Sequence, residues 1–183
     1  MNDSKAIARL KRGDITALDA LIDRYQVRAL RTAFLITQDA ALAEDVVQDA
    51  FVNVYHSIHT FQASRPFAPW FMRTVVNGAL RAARRKQAQL SLENLADDDL
   101  DAAEFLVDPA PGPDRLLETA ETQEAVWDAL SALTPERRAV IVLRFYLDLS
   151  EGEMAEHLNI PVGTVKSRLH SAKRHLQALL ASS

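Results

Sequence analysis

The chain has 183 residues, of which 48% are hydrophobic, 21 are lysine or arginine and 25 are acidic, which is ordinary for a globular protein. It has no cysteine, which excludes disulfides, thiolate metal sites and a thiol nucleophile. No apolar run reaches the roughly eighteen residues of a membrane span. The start, MNDSKAIARLKRGD, lacks the apolar stretch of a signal peptide, so we expect a cytoplasmic protein without direct membrane insertion.

The N-terminal half of the chain has the apolar period of α-helices. Apolar residues recur at helical spacing over residues 18–36, and Asp14 is the predicted N-cap of this helix. Asp39 is the predicted cap of a second helix, whose apolar stripe runs over residues 43–58. A loop broken by two prolines follows, and a third helix is predicted over residues 69–88. The three helices together predict one compact domain.

An acidic segment without a sustained period follows this domain. From Glu93 to Glu124, eleven acidic residues are accompanied only by Arg115, a net charge of -10, and the stretch includes PAPGP. This composition predicts a flexible linker that leaves the flanking domains free to move. The acidic block is either a solvated tether or a DNA mimic that folds over the neighbouring basic helix.

Helical periodicity resumes after the linker. Thr134 is a predicted N-cap, with Pro135 at the first position of its helix. Ser150 and Glu153 fit a capping box ahead of a short helix. A turn at residues 159–161 leads to a longer helix with a basic outer face. A short helix, a tight turn and a longer basic helix predict a helix-turn-helix.

These patterns predict an all-α fold of two small helical domains joined by a flexible acidic linker. The first domain is predicted over residues 1–90, the linker over 91–115 and the helix-turn-helix domain over 116–183. Strand alternation is absent from the sequence.

One face of the third predicted helix has the chemistry of a DNA contact. From Ala50 to Leu92 there are six basic residues and no acidic residue. Steps of four, four and three residues place one stripe of side chains on this helix: Arg73, Asn77, Arg81 and Arg84. Arginine binds phosphate as a bidentate fork, and an asparagine amide can pair with a base edge. The alternative is a solvated arginine stripe without a ligand.

The longer helix of the helix-turn-helix carries a second basic face. Its outward residues are Lys166, His170 and Lys173, with Ser167, Ser171 and Arg174 beside them. Side chains in the first turns of a recognition helix reach base edges in the major groove, and later basic residues contact phosphates. The sequence therefore predicts binding to duplex DNA through this helix.

Nothing in the sequence predicts catalysis. The five histidines lack carboxylates at metal-ligand spacing, so we expect no metal and no cofactor. A glycine-rich phosphate loop and a G-x-S-x-G motif are both absent. A helix-turn-helix recombinase would need an α/β catalytic domain with a nucleophile, which the helical N-terminal half does not provide. The protein is predicted not to be an enzyme.

Two segments carry a resemblance to a known family. Residues 43–77, AEDVVQDAFVNVYHSIHTFQASRPFAPWFMRTVVN, resemble the second conserved region of bacterial RNA polymerase sigma factors. Residues 133–176, LTPERRAVIVLRFYLDLSEGEMAEHLNIPVGTVKSRLHSAKRHL, resemble their fourth region. A chain with only these two regions is similar to the extracytoplasmic-function (ECF) subfamily of the sigma-70 family. The resemblance implies that the protein binds core RNA polymerase and directs promoter recognition, DNA melting and transcription initiation.

The resemblance to region 2 also implies roles for individual residues. The helix bearing AEDVVQ would dock on the clamp helices of the largest polymerase subunit through Asp45, Gln48 and Asp49. The minus-10 promoter element would be opened by the following loop and helix. Phe61, the loop Gln62, Ala63, Ser64 and Arg65, and Asn77 would hold a flipped base, with Trp70 and Arg73 near the last paired step. From the residues alone, Phe67 and Trp70 are predicted to be core aromatics, and Phe61 is either a core residue or a ring that stacks on an unpaired base.

The resemblance to region 4 assigns the second DNA face. Lys166, Ser167, His170 and Ser171 would read the minus-35 element, with Arg168 and Lys173 on phosphates. Family members are commonly held inactive by an anti-sigma factor, which is therefore an expected partner beside core polymerase and promoter DNA. The alternative function is a free-standing helix-turn-helix repressor or activator with a helical sensor domain.

Overall fold

The computed structural model describes residues 2–96 and 125–180, and every regular element in these two ranges is helical. The N-terminal domain has four α-helices: α1 Asp3–Leu10, α2 Asp19–Thr37, α3 Ala40–Ser57 and α4 Phe67–Ala96. Two short 3-10 helices, Ile15–Leu18 and Ile58–Thr60, precede α2 and follow α3. The all-α prediction is confirmed, and α1 is a helix that the sequence analysis did not predict.

Side-chain caps explain where these helices begin. The carboxylate of Asp39 accepts a hydrogen bond from the backbone N–H of Leu42 at 3.1 Å, as predicted. Asp14 caps the 3-10 helix through the N–H of Thr16, and not α2 as predicted, because the chain turns once before α2 begins. Gln38 ends α2 in the left-handed conformation with a φ of 54°, which turns the chain into α3.

Helices α2, α3 and α4 pack around the core of this domain. Phe71, Val75 and Val76 of α4 are fully buried there. Gly78 lies where α4 meets α3, and a Cβ at this position would stand 3.1 Å from Val46 Cγ1. The missing side chain therefore allows the two helices to approach closely.

The C-terminal domain is the predicted helix-turn-helix, preceded by two further helices. Residues 125–131 form α5, and α6 Pro135–Ile141 continues into one π-helical turn, Val142–Tyr146. The two helices of the helix-turn-helix are α7 Glu151–Leu158 and α8 Val162–Leu180.

Local chemistry again matches several predictions for this domain. Ser150 and Glu153 form the predicted capping box. Asn159 adopts the left-handed conformation with a φ of 53° at the predicted turn. Thr134 occupies the N-cap position of α6 without a side-chain hydrogen bond, and Pro135 is at the first turn as predicted.

The two domains pack against each other. Helix α4 continues to Ala96, into the segment predicted as linker, while residues 97–115, with the predicted tether or DNA mimic, lie outside the described residues. Arg138 of α6 is buried between the domains, and its Nη1 donates to the carbonyl of Ile36 at 3.0 Å. Direct contacts of this kind join the two domains in the structure.

Candidate nucleic-acid and polymerase interfaces

Helix α4 presents its polar stripe on the side away from the core. Phe71, Val75 and Val76 face inward. The outer side carries Arg73, Asn77, Arg81 and Arg84. The three arginines are exposed and the asparagine is half-buried. The helical spacing seen in the sequence thus places all four residues along one side of a rigid helix.

The amide of Asn77 is already hydrogen-bonded. Its Nδ2 donates to the carbonyl of Arg73, one turn earlier in α4, at 2.9 Å. The same nitrogen donates to the carbonyl of His157 in α7, also at 2.9 Å. Because an amide nitrogen has two hydrogens, these bonds use both of its donors. The C-terminal domain therefore occupies a group that sequence analysis assigned to a flipped base.

The side chain of Arg84 also contacts the C-terminal domain. Its Nε lies 2.5 Å from Oε1 of Glu136 in α6, an ion pair between the domains. Burial by itself raises the pKa of Glu136, but hydrogen bonds from Arg84 and the backbone, with the charges of Arg84 and Arg168, outweigh burial and lower it. Glu136 is thus held in the charged form that pairs with the arginine.

The aromatic residues before and within the start of α4 form a cluster. The ring of Phe61 lies 4.9 Å from that of Trp70 and 5.8 Å from that of Phe67. Phe61 is only 4% exposed, and Lys11 Nζ donates to its carbonyl at 2.6 Å. In this conformation Phe61 is a core residue and presents no free face for stacking on a base, whereas Trp70 is partly exposed.

The loop that follows Phe61 is open to solvent. Its four predicted DNA-contact residues are all exposed: Gln62, Ala63, Ser64 and Arg65. The backbone N–H of Arg65 donates to the carbonyl of Gln62 at 3.0 Å, which closes a tight turn. The aromatic cluster beneath it anchors this turn at the beginning of α4.

The outer face of α8 is arranged as the sequence predicts. Val165, Leu169 and Ala172 are buried on its inner side. The predicted minus-35 residues divide into an exposed set, Lys166, Ser167, His170 and Lys173, and a half-buried pair, Arg168 and Ser171. Lys166 Nζ lies 3.7 Å from Glu151 Oε2, and Lys173 Nζ lies 5.4 Å from the ring centroid of Phe145. Exposed contacts of these kinds are weak.

Helix α3 carries the candidate polymerase-binding face. Asp45, Gln48 and Asp49 are exposed together, as predicted. Two large apolar residues farther along the helix, Val52 at 49% and Tyr55 at 38%, are also exposed. The sequence analysis did not assign them, although their positions outside the buried stripe were a signal. Together the five residues form a mixed polar and apolar surface of the kind found at protein interfaces.

Three residues that face the N-terminal domain were also not identified from the sequence: Glu136, Arg138 and His157. Arg138 interrupts the apolar stripe of α6, which is a signal, because a buried charge needs specific partners. Burial lowers the pKa of His157, and the nearby charge of Arg73 lowers it further against the opposing charges of Glu153 and Glu156. The neutral form of His157 is therefore favoured between the domains.

The described residues contain no group of three or more side chains that could hold a metal ion. Within those same two ranges, no helix is both long and apolar enough to cross a membrane.

Comparison with known proteins identifies the family. Residues 21–89 match the sequence family sigma-70 region 2, and residues 123–176 match the family sigma-70 region 4. The ECF RNA polymerase sigma factor SigW of Bacillus subtilis is 30% identical over 178 residues, 96% of this chain and 95% of SigW. The ECF RNA polymerase sigma-E factor of Haemophilus influenzae is 31% identical over 184 residues, 97% of this chain and 94% of that protein.

Among solved structures, CnrH in complex with the cytosolic domain of CnrY superposes on the chain with a TM-score of 0.66. The two are 26% identical, and the superposition covers 99% of this chain and 98% of CnrH. The chain therefore belongs to the ECF RNA polymerase sigma factors of the sigma-70 family. It is a promoter-directing DNA-recognition protein, and the alternative of a free-standing repressor is not favoured.

Proposed function

We propose that this sigma factor divides its work among three surfaces. The exposed turn at residues 62–65 and the α4 stripe hold the opened minus-10 element, and the outer face of α8 reads the minus-35 element. Asp45, Gln48 and Asp49 of α3 dock on the clamp helices of the largest polymerase subunit. The protein supplies no bond chemistry, since DNA opening requires only that pocket contacts and polymerase offset the cost of unstacking.

The observation that carries this proposal is the separation of two basic faces onto two folded domains. One face lies on α4 and the other on α8, each opposite a buried apolar side. Neither face has an acidic residue of its own helix within its stripe. A basic face backed by a core is suited to DNA backbone binding, and two such faces suit two separate promoter elements.

The surface of α3 supports polymerase as the third partner. It combines three polar residues with the exposed side chains of Val52 and Tyr55. A solvated acidic face would not need exposed apolar groups of this size beside it. We extend the proposed polymerase interface to these two residues.

An anti-sigma factor is a further proposed partner. An apolar groove of about 250 Å³ lies where α2 meets the C-terminal domain, lined by residues such as Leu35, Ile141 and Phe145. Phe145 is 63% exposed at its rim. CnrH, which is similar over its whole length, has been solved with a domain of another protein bound to it. These observations favour control by a separate protein that covers the groove. The sigma factor and this control are proposed to act in the cytoplasm.

The test is run-off transcription on a genomic library with purified core polymerase, with and without the protein. We expect specific transcripts only when the protein is present. A triple variant, Asp45→Ala, Gln48→Ala and Asp49→Ala, should lose binding to core polymerase. The control Asp23→Ala, at an exposed position of α2, should retain it. Tight, sequence-specific duplex binding by the isolated chain, without promoter-dependent transcription, would instead support a repressor.

A further inference from the structure

Helix α1 is packed firmly against the rest of the N-terminal domain. It precedes residues 21–89, which match sigma-70 region 2, so the family match assigns it no role. Its inner side chains, Ala6, Ile7 and Leu10, are at most 4% exposed. A helix buried on one side in this way holds its other side chains at fixed places on the domain.

The residue at the end of α1 bonds to the start of the exposed turn at residues 62–65, called here the minus-10 loop. Lys11 is the half-buried C-cap of α1, and its Nζ donates to the backbone carbonyl of Phe61 at 2.6 Å. The backbone N–H of Phe61 donates to the carbonyl of Ile58 at 3.2 Å. Both backbone groups of Phe61 are therefore bonded, which fixes the direction of the peptide that leads into Gln62.

Aromatic rings hold the minus-10 loop at both of its ends. Phe61 precedes the loop and Phe67 follows it, and the two residues are 4% and 3% exposed. Their ring centroids are 5.8 Å apart, and the ring of Trp70 lies 4.9 Å from the first and 5.6 Å from the second. The exposed residues of the loop thus lie between two buried rings.

The beginning of α1 reaches the same aromatic cluster through Tyr25. The hydroxyl of Tyr25 donates to the carboxylate of Asp3, and its ring lies 5.4 Å from that of Phe67. Burial, and next the bond to Asp3, raise the pKa of Tyr25 to about 12, so the hydroxyl keeps the proton that it donates. Helix α1 is therefore joined to both ends of the loop, to Phe61 directly and to Phe67 through Tyr25.

A loop that is ordered before DNA arrives binds a flipped base at lower cost. Ordering a flexible backbone costs conformational entropy, which the binding contacts must offset. If only a fraction of the chains hold the loop in the binding conformation, the apparent affinity for the opened strand falls in proportion to that fraction. Lys11 is suited to keep the fraction high, because a charged donor makes a stronger hydrogen bond than a neutral one.

We propose that Lys11 is a positioning residue of the minus-10 site: its ammonium fixes the peptide between Phe61 and Gln62 and so holds the minus-10 loop in the conformation that takes a flipped base. The proposal rests on the proposed role of this loop in minus-10 recognition. Lys11 acts through the carbonyl of Phe61 and not through a contact of its own with DNA.

Hydrogen exchange of the free full-length chain tests the positioning bond. Lys11→Met removes the donor and the charge but keeps a side chain of similar length, and Lys5→Met makes the same change at an exposed position of α1. The reporter is the amide of Arg65, which donates to the carbonyl of Gln62 in the loop. We expect it to exchange about threefold to tenfold faster in Lys11→Met than in Lys5→Met.

Two controls show that this effect is local. Exchange in the core of α4, at Val75 and Val76, should be the same in both variants, because these residues are fully buried and far along the helix from the loop. Lys11→Arg keeps a charged donor and should exchange like the unsubstituted chain. Equal loop exchange in Lys11→Met and Lys5→Met would overturn the proposal.

The second measurement uses holoenzyme on a promoter found in the run-off experiment. Permanganate reactivity reports opening of the minus-10 element, and footprinting reports the contact at the minus-35 element. We expect Lys11→Met to lower the equilibrium constant for opening about threefold to tenfold relative to Lys5→Met, with the minus-35 contact unchanged. Lys11→Arg should restore opening, and opening that is equal in Lys11→Met and Lys5→Met would overturn the proposal.

Salt dependence separates positioning from a direct contact with DNA. The probe is promoter DNA with a preformed bubble at the minus-10 element, bound by holoenzyme. Removing a lysine that binds a phosphate reduces the salt slope by about 1, whereas removing a positioning lysine leaves the slope unchanged. A slope reduced by about 1 in Lys11→Met would overturn the proposal.

Failure of the proposed function itself has a different signature. If the minus-10 loop does not hold the opened strand, Gln62→Ala and Arg65→Ala will leave opening unchanged, while the loop of Lys11→Met will still exchange faster. If the loop has this role but Lys11 does not position it, the two loop variants will impair opening and Lys11→Met will behave like Lys5→Met.

Discussion

At the scale of single residues, Asn77 has two competing uses for one amide. In the structure, both of its donors are taken by the carbonyls of Arg73 and His157. The proposed function needs the same amide to contact a base in the opened minus-10 element. Its side chain is therefore a point at which domain closure and promoter opening exclude each other.

Replacing Asn77 by alanine should impair opening of the minus-10 element by the holoenzyme. Contacts at the minus-35 element should persist, because they come from α8 on the other domain. Lys166→Ala should give the reverse pattern. Permanganate reactivity measures opening and footprinting measures the minus-35 contact; identical defects in both assays for both variants would contradict this division.

A second residue-scale prediction concerns His157, whose pKa is lowered mainly by burial. The groups that face it are Arg73 of α4, Arg28 of α2, and Glu153 and Glu156 of α7. Because the neutral form is favoured in the closed state, closure is most stable above the ordinary histidine pKa of about 6.5 and weakens as the pH falls below it.

Small-angle scattering should therefore report a larger radius of gyration for the free protein at about pH 5.5 than at about pH 7.5. His157→Gln should remove most of this pH dependence, since glutamine does not titrate. A control variant, His59→Gln on an exposed position, should keep it. A radius that is the same at both pH values in the unsubstituted chain would show that His157 does not influence closure.

At the scale of elements, the beginning of α3 depends on one carboxylate. The carboxylate of Asp39 caps the helix by accepting from the backbone N–H of Leu42. It also pairs with Lys86 of α4, whose Nζ lies 2.8 Å from Asp39 Oδ2. Two hydrogen bonds lower the pKa of Asp39, and the one from Lys86 has a larger effect than the one from the backbone of Leu42. The carboxylate is therefore charged at neutral pH. The residue thus joins the start of one helix to the side of another.

Asp39→Ala should lower the free energy of unfolding by about 1 kcal/mol, the usual cost of losing an N-cap. Asp39→Asn is the matched control, since asparagine caps equally well but cannot pair with Lys86. It should retain most of the stability, because an exposed ion pair contributes about 0 to 1 kcal/mol. Urea unfolding measures both values, and equal losses would assign the effect to the ion pair.

At the scale of the whole molecule, the charge is segregated while the net value is only -4. Two basic faces lie on different domains, and in the closed form one of them is partly covered. The free chain is therefore expected to bind duplex promoter DNA much more weakly than the holoenzyme does, because a single small face makes few phosphate contacts.

Salt dependence measures the phosphate contacts of α8. Lys173→Ala should weaken binding of duplex DNA by the holoenzyme about equally across sequences and reduce the salt slope by about 1. Lys5→Ala, on an exposed position of α1, should leave the slope unchanged. A loss confined to one promoter sequence would indicate that Lys173 reads a base and does not contact a phosphate.

The sequence by itself determined most of the helices, α1 excepted, and their polar faces, because both are local properties. Caps at Asp39 and Ser150 and the turn at Asn159 depend on residues a few positions apart, and the apolar period decides which side of each helix is buried. The exposed faces of α3 and α8 and the stripe on α4 were therefore predictable before the fold was known.

Only the tertiary structure decided how these faces are used in the free chain. The bond from Arg138 to the carbonyl of Ile36 joins residues 102 positions apart, and backbone carbonyls leave no signature in the side-chain pattern. The burial of Phe61 depends likewise on rings brought together by folding. Periodicity specifies that a side chain lies on a surface of its helix, but the packing of domains decides whether that surface faces solvent or another helix.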